Sequence, residues 1–322
     1  MPERTIALSF GKPEAERLQD LNSRPTISKH EVFNLTSCPP SRWLGSDGQK
    51  LRFEAWAKFG HPINFIRDGA VWRFSYEPDS VARRNHRSAL DNAGVLAAEL
   101  QRLEENGCIE YLGEVEDINE FVSHVNPFGA VVQVSNEKVK VRTRMVVDPS
   151  ITGVNRAMAQ LPLRLPTVRE ALGRTDGTSF LGKRDLKSGF HHVVLSESAR
   201  KYMGFQHPQT GRVGRWVVLP FGAAQSPAIF CEMTRAAADI FNQQFKSRGI
   251  AAETLVYVDD FLIIARSHGD VMKAFDVMDE VGDELGLTWG PEKDVGRDIP
   301  CQALEVFGGL AERVNGGVDP AG

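Results

Sequence analysis

The chain has 322 residues, of which 42% are hydrophobic and 25% charged, a composition ordinary for a globular protein with room for two or three packed units. No apolar run approaches the ~20 residues of a membrane helix, and Met1–Arg4 begins with mixed charges and not with an apolar signal segment, so we expect an intracellular protein of cytoplasm or nucleus. The net charge of −4 argues against a protein that coats nucleic acid by bulk charge, and the four widely spaced cysteines match no zinc pattern.

Charge is distributed unevenly along the chain. Residues 137–187 carry eleven Lys and Arg against five Asp and Glu, a net charge of +6, whereas residues 252–322 carry five against fifteen, a net charge of −10. Such asymmetry is typical of a protein with one phosphate-facing surface. The alternative is that both stretches are solvated faces with no partner.

The first half of the chain predicts few regular elements. Residues 1–87 form an extension to which the sequence assigns no role, although its tryptophans indicate that part of it packs. Residues 88–107 predict one helix with Ser88 as its cap. Two strand-like runs, 130–134 and 139–147, predict a hairpin because a short polar linker joins them.

The second half predicts strands that alternate with helices. Helices are expected to begin after Pro166, at Ser226 and at Asp270, each with a capping or proline signal. The intervening strands are expected at 179–186, 193–195, 215–219, 254–265 (as a hairpin) and 303–307. This mixture predicts an α+β fold in which helices back an antiparallel sheet.

Two adjacent carboxylates interrupt the apolar run Thr254–Ala265. The run is rich in β-branched and aromatic residues, which predicts two strands joined at Asp259 and Asp260. Burying unpaired carboxylates there would be costly, so they need either a cation or a turn open to water. An acidic tip on such a hairpin suits Mg²⁺, which prefers oxygen ligands. A solvated turn that uses Asp for turn chemistry explains Tyr257–Asp260 equally well when it is taken alone.

A third carboxylate favours the metal site over the solvated turn. Asp185 follows an apolar strand and would be ordinary alone, but beside the Asp259–Asp260 hairpin it becomes a candidate metal ligand. Phosphoryl transfer by two metal ions uses such a set, because one ion activates the attacking 3′-hydroxyl and the other steadies the triphosphate, with the ions ~4 Å apart. Aspartates on neighbouring strands also fit the preference of Mg²⁺ for a few carboxylates completed by water and phosphates.

Several short motifs follow one another between about Ser88 and about Leu310, roughly two-thirds of the chain. They are Asn126–Val132, Arg144–Asp148, Asp185–His191, Leu219–Gly222, Ser226–Phe230, Tyr257–Asp260, Gly286–Leu287, Lys293 and Val306–Gly309. Each motif is weak alone, but in this order and spacing they resemble the reverse transcriptase domain of retroelements, of the gypsy-like or DIRS-like kind.

The resemblance implies the fold of a right-hand polymerase. Residues 1–87 would be an extension of unknown role, 88–175 the fingers, 176–310 the palm and 311–322 a C-terminal tail, with the thumb absent or incomplete. The antiparallel sheet backed by helices would belong to the palm, and Val306–Gly309 would be its primer grip.

The resemblance also implies a metal and phosphate site. Asp185 and Asp259 would bind two Mg²⁺ ions, with Mn²⁺ as an alternative, and Asp260 would be the less direct third ligand. Arg144, assisted by Lys138 or Lys140, would contact the incoming triphosphate, since guanidinium forks suit phosphate oxygens. The plainer alternative for Arg144 is a solvent-facing strand residue.

Four further side chains receive roles around the nucleotide. Phe190 would be a steric gate whose ring clashes with a 2′-hydroxyl, Phe221 and Gln225 would lie near the template base and nucleotide, and Lys293 would protonate the pyrophosphate leaving group. The plainer alternatives are a core aromatic for Phe190 and a surface loop residue for Lys293. The pair that follows Phe190, His191–His192, is expected to be structural or template-adjacent, because adjacent strand residues face opposite ways.

The implied function is that of an RNA-directed DNA polymerase, a nucleotidyltransferase from a retrotransposon polyprotein or a fragment of one. Its partners would be an RNA or DNA template with its primer and dNTPs, with no membrane. The sequence contains no ribonuclease H set of carboxylates, so a partner chain could supply that activity or a thumb. An RNA-directed RNA polymerase on the same palm is the second candidate, and Phe190 argues against it because such enzymes usually carry an Asp near that position.

A catalytically inactive or domesticated nucleic-acid-binding remnant is the third candidate. Arg184 stands where an apolar residue is usual before the first catalytic aspartate, and Ala223–Ala224 stands where a bulkier residue is common. These departures, the acidic net charge and the short C-terminal region motivate this alternative.

Overall fold

A computed structural model describes residues 45–113, 120–135, 140–306 and 309–312, all within the larger of two units of the chain, residues 37–322. In the first half the elements are α1 (Ser46–Lys58), α2 (Asn64–Asp68), β1 (Val81–Ala82), α3 (Arg87–Asp91), α4 (Ala93–Glu105), β2 (Ile109–Tyr111), β3 (His124–Asn126), β4 (Phe128–Ser135), β5 (Lys140–Val147), α5 (Val154–Ala157) and α6 (Val168–Leu172). In the second half they are β6 (Phe180–Asp185), a 3₁₀ turn (Gly189–His192), α7 (Glu197–Arg200), β7 (Gly204–Gln206), β8 (Val213–Trp216), α8 (Ser226–Ser247), β9 (Ala252–Tyr257), β10 (Asp260–Ala265), α9 (His268–Glu284), a second 3₁₀ turn (Pro291–Lys293), β11 (Ala303–Val306) and β12 (Gly309–Glu312).

Strands β6, β10 and β9 form an antiparallel sheet in the order β6–β10–β9. Its side chains alternate between two faces. Phe261 and Ile263 point into the main core, where the ring of Phe241 on α8 lies 5.9 Å from that of Phe261. Leu262 and Ile264 belong to a second, smaller apolar cluster on the other face. The predicted antiparallel sheet backed by helices is therefore confirmed.

The second large sheet has the strand order β1–β3–β7–β8–β2. Strands β1, β2 and β3 come from before residue 130 and strands β7 and β8 from after residue 200. This sheet therefore crosses residue 175, where the sequence places the boundary between fingers and palm, and the domain boundaries stay a prediction. Two hairpins complete the strands, β4–β5 as predicted and β11–β12 at the end of the described chain.

Three sequence predictions of local structure were wrong. The helix predicted over 88–107 is two helices, because the Asn92 side chain donates to the Ser88 carbonyl at 2.8 Å and the backbone turns there. Residues 193–195 make only isolated bridges and no strand. Helix α9 is capped by Ser267, whose hydroxyl accepts from the Asp270 amide, so Asp270 lies in the first turn.

Helix α1 belongs to the core, although it lies in the region to which the sequence assigned no role. Trp56 is fully buried and its indole donates to the Leu285 carbonyl at 3.0 Å. Arg52, one turn earlier, is also buried and donates to the same carbonyl at 2.9 Å. Both contacts join α1 to the C-terminal end of α9.

Among the described helices, none combines the length and the apolar character needed to cross a lipid bilayer.

We predict that Trp56→Ala destabilises the protein by about 3–5 kcal/mol, since it removes a buried ring and leaves a cavity. The matched control is Leu51→Ala in the same helix, where the side chain is 60% exposed and the change should stay within ~0.5 kcal/mol. Denaturant titration gives both free energies of unfolding. Equal values for the two variants would show that α1 is not part of the cooperative core.

Candidate active site

The turn between β9 and β10 fixes where the two adjacent aspartates lie. Tyr257 pairs with Asp260 across the hairpin, so Val258 and Asp259 are the turn residues. Val258 has a φ of 59°, the left-handed conformation that two-residue hairpin turns require and that a β-branched residue rarely adopts. Such an outlier costs on the order of 1–3 kcal/mol and is typical of functional sites. The Leu186 amide donates to the Asp259 carbonyl at 3.0 Å, which ties the turn to the end of β6.

The register of β6 against β10 brings a second strand end to this turn. Asp185, the last residue of β6, pairs with Asp260, the first of β10. Asp185 is buried, and burial raises its pKa although a hydrogen bond from Lys293 lowers it. Burial also raises the pKa of Asp259 to about 6, with the charge of Asp185 as the second cause. Asp185 and Asp259 therefore form a carboxylate pair whose ionisation is unfavourable.

Two lysines compensate part of this negative charge. Lys293 donates from Nζ to Oδ1 of Asp185 at 2.7 Å. Lys183, two residues before Asp185 and on the same face of β6, lies 2.9 Å from Oδ2 of Asp260. Asp185 and Asp260 are therefore each held in an ion pair, and both also act as like charges on Asp259.

The donor chemistry of the pair suits a divalent cation. Within the described ranges, no three Asp, Glu, His or Cys side chains are arranged to enclose a metal ion. Two neighbouring carboxylates are nevertheless relieved by a positive charge near them, and Asp185 already has the ammonium of Lys293 in that role. A cation bound by Asp185 and Asp259 would therefore compete with Lys293.

An aromatic cluster stands beside the aspartates. The ring of Phe190, in the turn Gly189–His192, lies 4.6 Å from that of Phe221 and 5.3 Å from that of Phe230. Phe221 is half exposed, whereas Phe230 is fully buried on α8. Gly189 lets the turn pack closely, because a Cβ there would stand 3.0 Å from Phe230 and 3.4 Å from the Cβ of Asp259. The turn therefore holds Phe190 between one buried and one exposed ring, next to the carboxylate pair.

The predicted phosphate contacts lie on β5. Arg144 is exposed and pairs in register with Val131 of β4. Lys140 begins β5 opposite Ser135, but its side chain lies outside the described part of the protein, as does the whole of Lys138. The guanidinium of Arg144 is therefore accessible to a ligand.

Gln225 is buried, and protein backbone surrounds its amide. Both of its amide protons are donated, at 2.7 Å each, to the carbonyls of Arg73 and Ala159, and its oxygen accepts from the Arg73 amide at 2.9 Å. Its contacts therefore attach the loop before α8 to the backbone at Arg73 and Ala159. Of the predicted primer grip Val306–Gly309, residues 307 and 308 lie outside the described residues.

The reverse transcriptase (RNA-dependent DNA polymerase) family matches residues 134–297, half of the chain. The chain belongs to the reverse transcriptase family. It is 33% identical over 147 residues to the enzymatic polyprotein of figwort mosaic virus (strain DxS), which is 46% of this chain and 20% of that protein. It is 31% identical over 140 residues to the putative enzymatic polyprotein of cassava vein mosaic virus, which is 42% of this chain and 19% of that protein. The chain thus spans about a fifth of the curated relatives that it matches.

Arg184, which departs from the usual reverse transcriptase pattern, has a local explanation. Its side chain is buried on the helix face of β6, 2.6 Å from Asp279 and 3.2 Å from Asp294, with its guanidinium carbon 4.5 Å from the ring centre of Trp289. Two carboxylates and an aromatic face are the partners a buried guanidinium needs. Arg184 is therefore a packed part of this reverse transcriptase domain.

Sequence reasoning missed Lys183 and Gly290. Lys183 could have been found from the alternation of β6, which places it on the same face as Asp185. Gly290 donates its amide to the Asp185 carbonyl at 2.9 Å, and a Cβ there would stand 3.6 Å from the Asp185 carboxylate. No local sequence pattern predicts that the backbone at Gly290 lies this close to Asp185.

We predict that Asp259→Asn stabilises the metal-free protein by about 1–3 kcal/mol at pH 7, because it removes a carboxylate whose ionisation the fold disfavours. The folded pKa of about 6 exceeds the ~3.9 of an unfolded Asp. The wild type should therefore gain stability as the pH falls from 7 through 6, and the variant should lack that part of the gain.

Urea unfolding at pH 7.5, 6 and 5 in the presence of a chelator measures this difference. Asp239→Asn, an exposed aspartate of α8, is the matched control and should follow the wild type. A variant that is less stable than the wild type at pH 7.5 would contradict the prediction.

Proposed function

We propose that the chain is an RNA-directed DNA polymerase that adds dNTPs to the 3′-hydroxyl of a primer paired with an RNA or DNA template. The observation that carries this proposal is the carboxylate pair formed by Asp185, at the end of β6, and Asp259, in the turn before β10. Burial and the charge of Asp185 raise the pKa of Asp259 to about 6. Such a pair is suited to holding cations, and membership of the reverse transcriptase family supplies the reaction.

Asp185 and Asp259 would hold two Mg²⁺ ions, or Mn²⁺ as an alternative, and Asp260, which pairs with Lys183, would be the less direct third ligand. When bound, the ions would lower the pKa of the primer 3′-hydroxyl and stabilise the charge of the leaving pyrophosphate. The protein's part is to fix the two carboxylates, and the hydrogen bond from Leu186 to the aspartate turn serves this purpose.

Lys293 is proposed as the proton donor to the pyrophosphate. Its side chain is 58% exposed and its Nζ lies 2.7 Å from Asp185, so the ammonium stands beside the proposed reaction centre and its long side chain can turn toward solvent. A cation held by Asp185 would compete with Lys293 for that carboxylate, and the ammonium of Lys293 would then be available as a proton donor to the leaving group. The ion pair with Asp185 would then be the position of the Lys293 ammonium before a cation binds.

Arg144, with Lys140 as an assistant, is proposed to bind the triphosphate, and its exposure on β5 supports this role. Phe190 is proposed as the gate that excludes a 2′-hydroxyl, with Phe221 beside the nucleotide. The packing of Phe190 between two rings supports a fixed gate. For Gln225 the contacts favour an indirect role, in which its amide supports the loop that carries Phe221.

The proposed partners are the template–primer, the dNTPs and a further polypeptide or domain that supplies a thumb or ribonuclease H. The viral relatives are polyproteins, which supports additional domains. An origin in a gypsy-like or DIRS-like retrotransposon stays a proposal, since the relatives reported above are viral polyproteins.

The second candidate function is a catalytically inactive nucleic-acid-binding remnant. The buried pairing of Arg184 with Asp279 and Asp294 removes one reason for it, because that residue is accommodated by the fold. Retained binding to template–primer, weakened by salt, without nucleotide addition would be its signature.

We predict that the wild type extends a primer on an RNA template with Mg²⁺ and that Asp185→Asn and Asp259→Asn each reduce the rate by at least about a hundredfold, because each removes a proposed metal ligand. Asp239→Asn should keep the wild-type rate. Extension by all four proteins, or by none of them under conditions where a control polymerase extends, would contradict the proposal.

A further inference from the structure

His192, the last residue of the turn that carries Phe190, stabilises that turn from within. The Nδ1 of His192 donates to the Gly189 carbonyl at 2.9 Å, and its Nε2 accepts from the Thr288 amide at 2.9 Å. Burial, together with the charge of Arg52, lowers the pKa of His192 to about 3. The imidazole is therefore neutral, as one donor and one acceptor require.

Arg52 of α1 reaches the same turn from outside it. One terminal nitrogen of its guanidinium donates to the His192 carbonyl, the other lies 3.3 Å from the sulfur of Met233 on α8, and Nε donates to the Leu285 carbonyl at 2.9 Å. The side chain is 4% exposed. It therefore joins α1 to three parts of the molecule: the end of α9, α8 and the gate turn.

Burying a guanidinium in this way costs free energy of folding. Burial alone lowers the pKa of Arg52 to about 10, with no carboxylate among the described residues acting on it. A buried charge with only carbonyl and sulfur partners costs more than an apolar residue of similar size would. The placement of the charge at the carbonyl end of α9 offsets part of that cost.

The attachment of α1 to the core does not explain this cost. Trp56 already fills the core and bonds the same Leu285 carbonyl at 3.0 Å. Beyond that shared carbonyl, Arg52 contacts the Met233 sulfur of α8 and the His192 carbonyl, and the second of these lies on the turn that carries Phe190. That carbonyl ends the turn whose second residue is Phe190.

The turn has little freedom at its other end. A Cβ on Gly189 would stand 3.0 Å from Phe230 and 3.4 Å from the Cβ of Asp259, so the backbone there is pressed between α8 and the aspartate turn. Gly189 is therefore confined at the start of the turn, and at its end the His192 ring is bonded to Gly189 and Thr288 and the His192 carbonyl to Arg52.

We propose that Arg52 is a positioning residue for Phe190, so that helix α1 takes part in discrimination between deoxyribonucleotides and ribonucleotides. The proposal rests on the proposed polymerase function and on the gate role of Phe190. Arg52 itself touches no substrate. A misplacement of the ring by a fraction of an ångström is enough to admit a 2′-hydroxyl, because steric exclusion falls off steeply with distance.

The test compares the ratio of kcat/KM for dNTP and rNTP among Arg52→Lys, Arg52→Met and Trp56→Phe. Arg52→Lys keeps the buried charge but cannot span both carbonyls, and Trp56→Phe cuts the bond to Leu285 while leaving the His192 contact. Phe190→Ala, which removes the gate itself, gives the size of a complete loss. We expect the two Arg52 variants to lose discrimination by about tenfold and Trp56→Phe to keep the wild-type ratio.

Wild-type discrimination in a folded Arg52→Lys would overturn the proposal. An equal loss in Trp56→Phe would also overturn it, because the effect would then come from the seating of α1 as a whole. An unfolded Arg52→Lys beside a folded Trp56→Phe would overturn it as well, by making Arg52 a residue of general stability.

Hydrogen exchange separates this proposal from the polymerase function. The amides of His191 and Val193, which donate to Ser188 at 2.8 Å and Phe190 at 3.2 Å, should exchange about tenfold faster in Arg52→Lys, while the amides of β10 keep their protection. If the wild type fails to polymerise but these amides lose protection, the function fails and the positioning role stands. Unchanged protection would remove the positioning role whatever the activity.

Discussion

The pairing of β6 with β10, in the register that sets Asp185 beside Asp260, is the constraint on which the rest of the site depends. A slip of one residue would turn Asp185 toward α9 and bring Arg184 to the site, because side chains alternate along a strand. Two features of the helix face oppose that slip. A Cβ at Gly182 would stand 2.9 Å from Phe275, so only glycine fits there, and Arg184 finds its carboxylate partners only on that side among the described residues.

The loop after α9 links the charge of the site to this register. It runs beside β6, where Lys183 and Val295 exchange backbone hydrogen bonds of 2.9 and 3.0 Å. The Gly290 amide bonds the Asp185 carbonyl, and Lys293 pairs with the Asp185 side chain. One segment therefore protects the edge of β6 and places the ammonium of Lys293 against the carboxylate of Asp185. Asp294 of the same loop pairs with Arg184 on the opposite face.

Much of this arrangement follows from local sequence patterns, and the part that does not depends on distant contacts. The Asp259–Asp260 hairpin and the start of α8 at Ser226 could be predicted because strand patterns, turn chemistry and capping signals are local. The contacts of Arg52 could not be predicted, since its partners Leu285 and His192 are 233 and 140 residues away in sequence.

The roles of individual side chains were harder still to predict. Gln225 lies between two of the motifs, yet its amide is bonded to backbone from two other segments. Arg184 departs from the family pattern, and its partners Asp279 and Asp294, which explain its burial, lie about a hundred residues away in sequence. A motif predicts which residues are near a site, whereas the hydrogen-bond partners decide which of them can still reach a ligand.

Binding of Mn²⁺ to the protein, measured by electron paramagnetic resonance of the free ion, tests the central claim that Asp185 and Asp259 form one cation site. The wild type should bind Mn²⁺ more weakly at pH 5.5 than at pH 7.5, because the pKa of Asp259 is about 6 and protons compete with the metal. Asp185→Asn and Asp259→Asn should each weaken binding by at least about tenfold at pH 7.5, and Asp239→Asn should not. Equal Mn²⁺ binding by the wild type and both site variants would contradict the account.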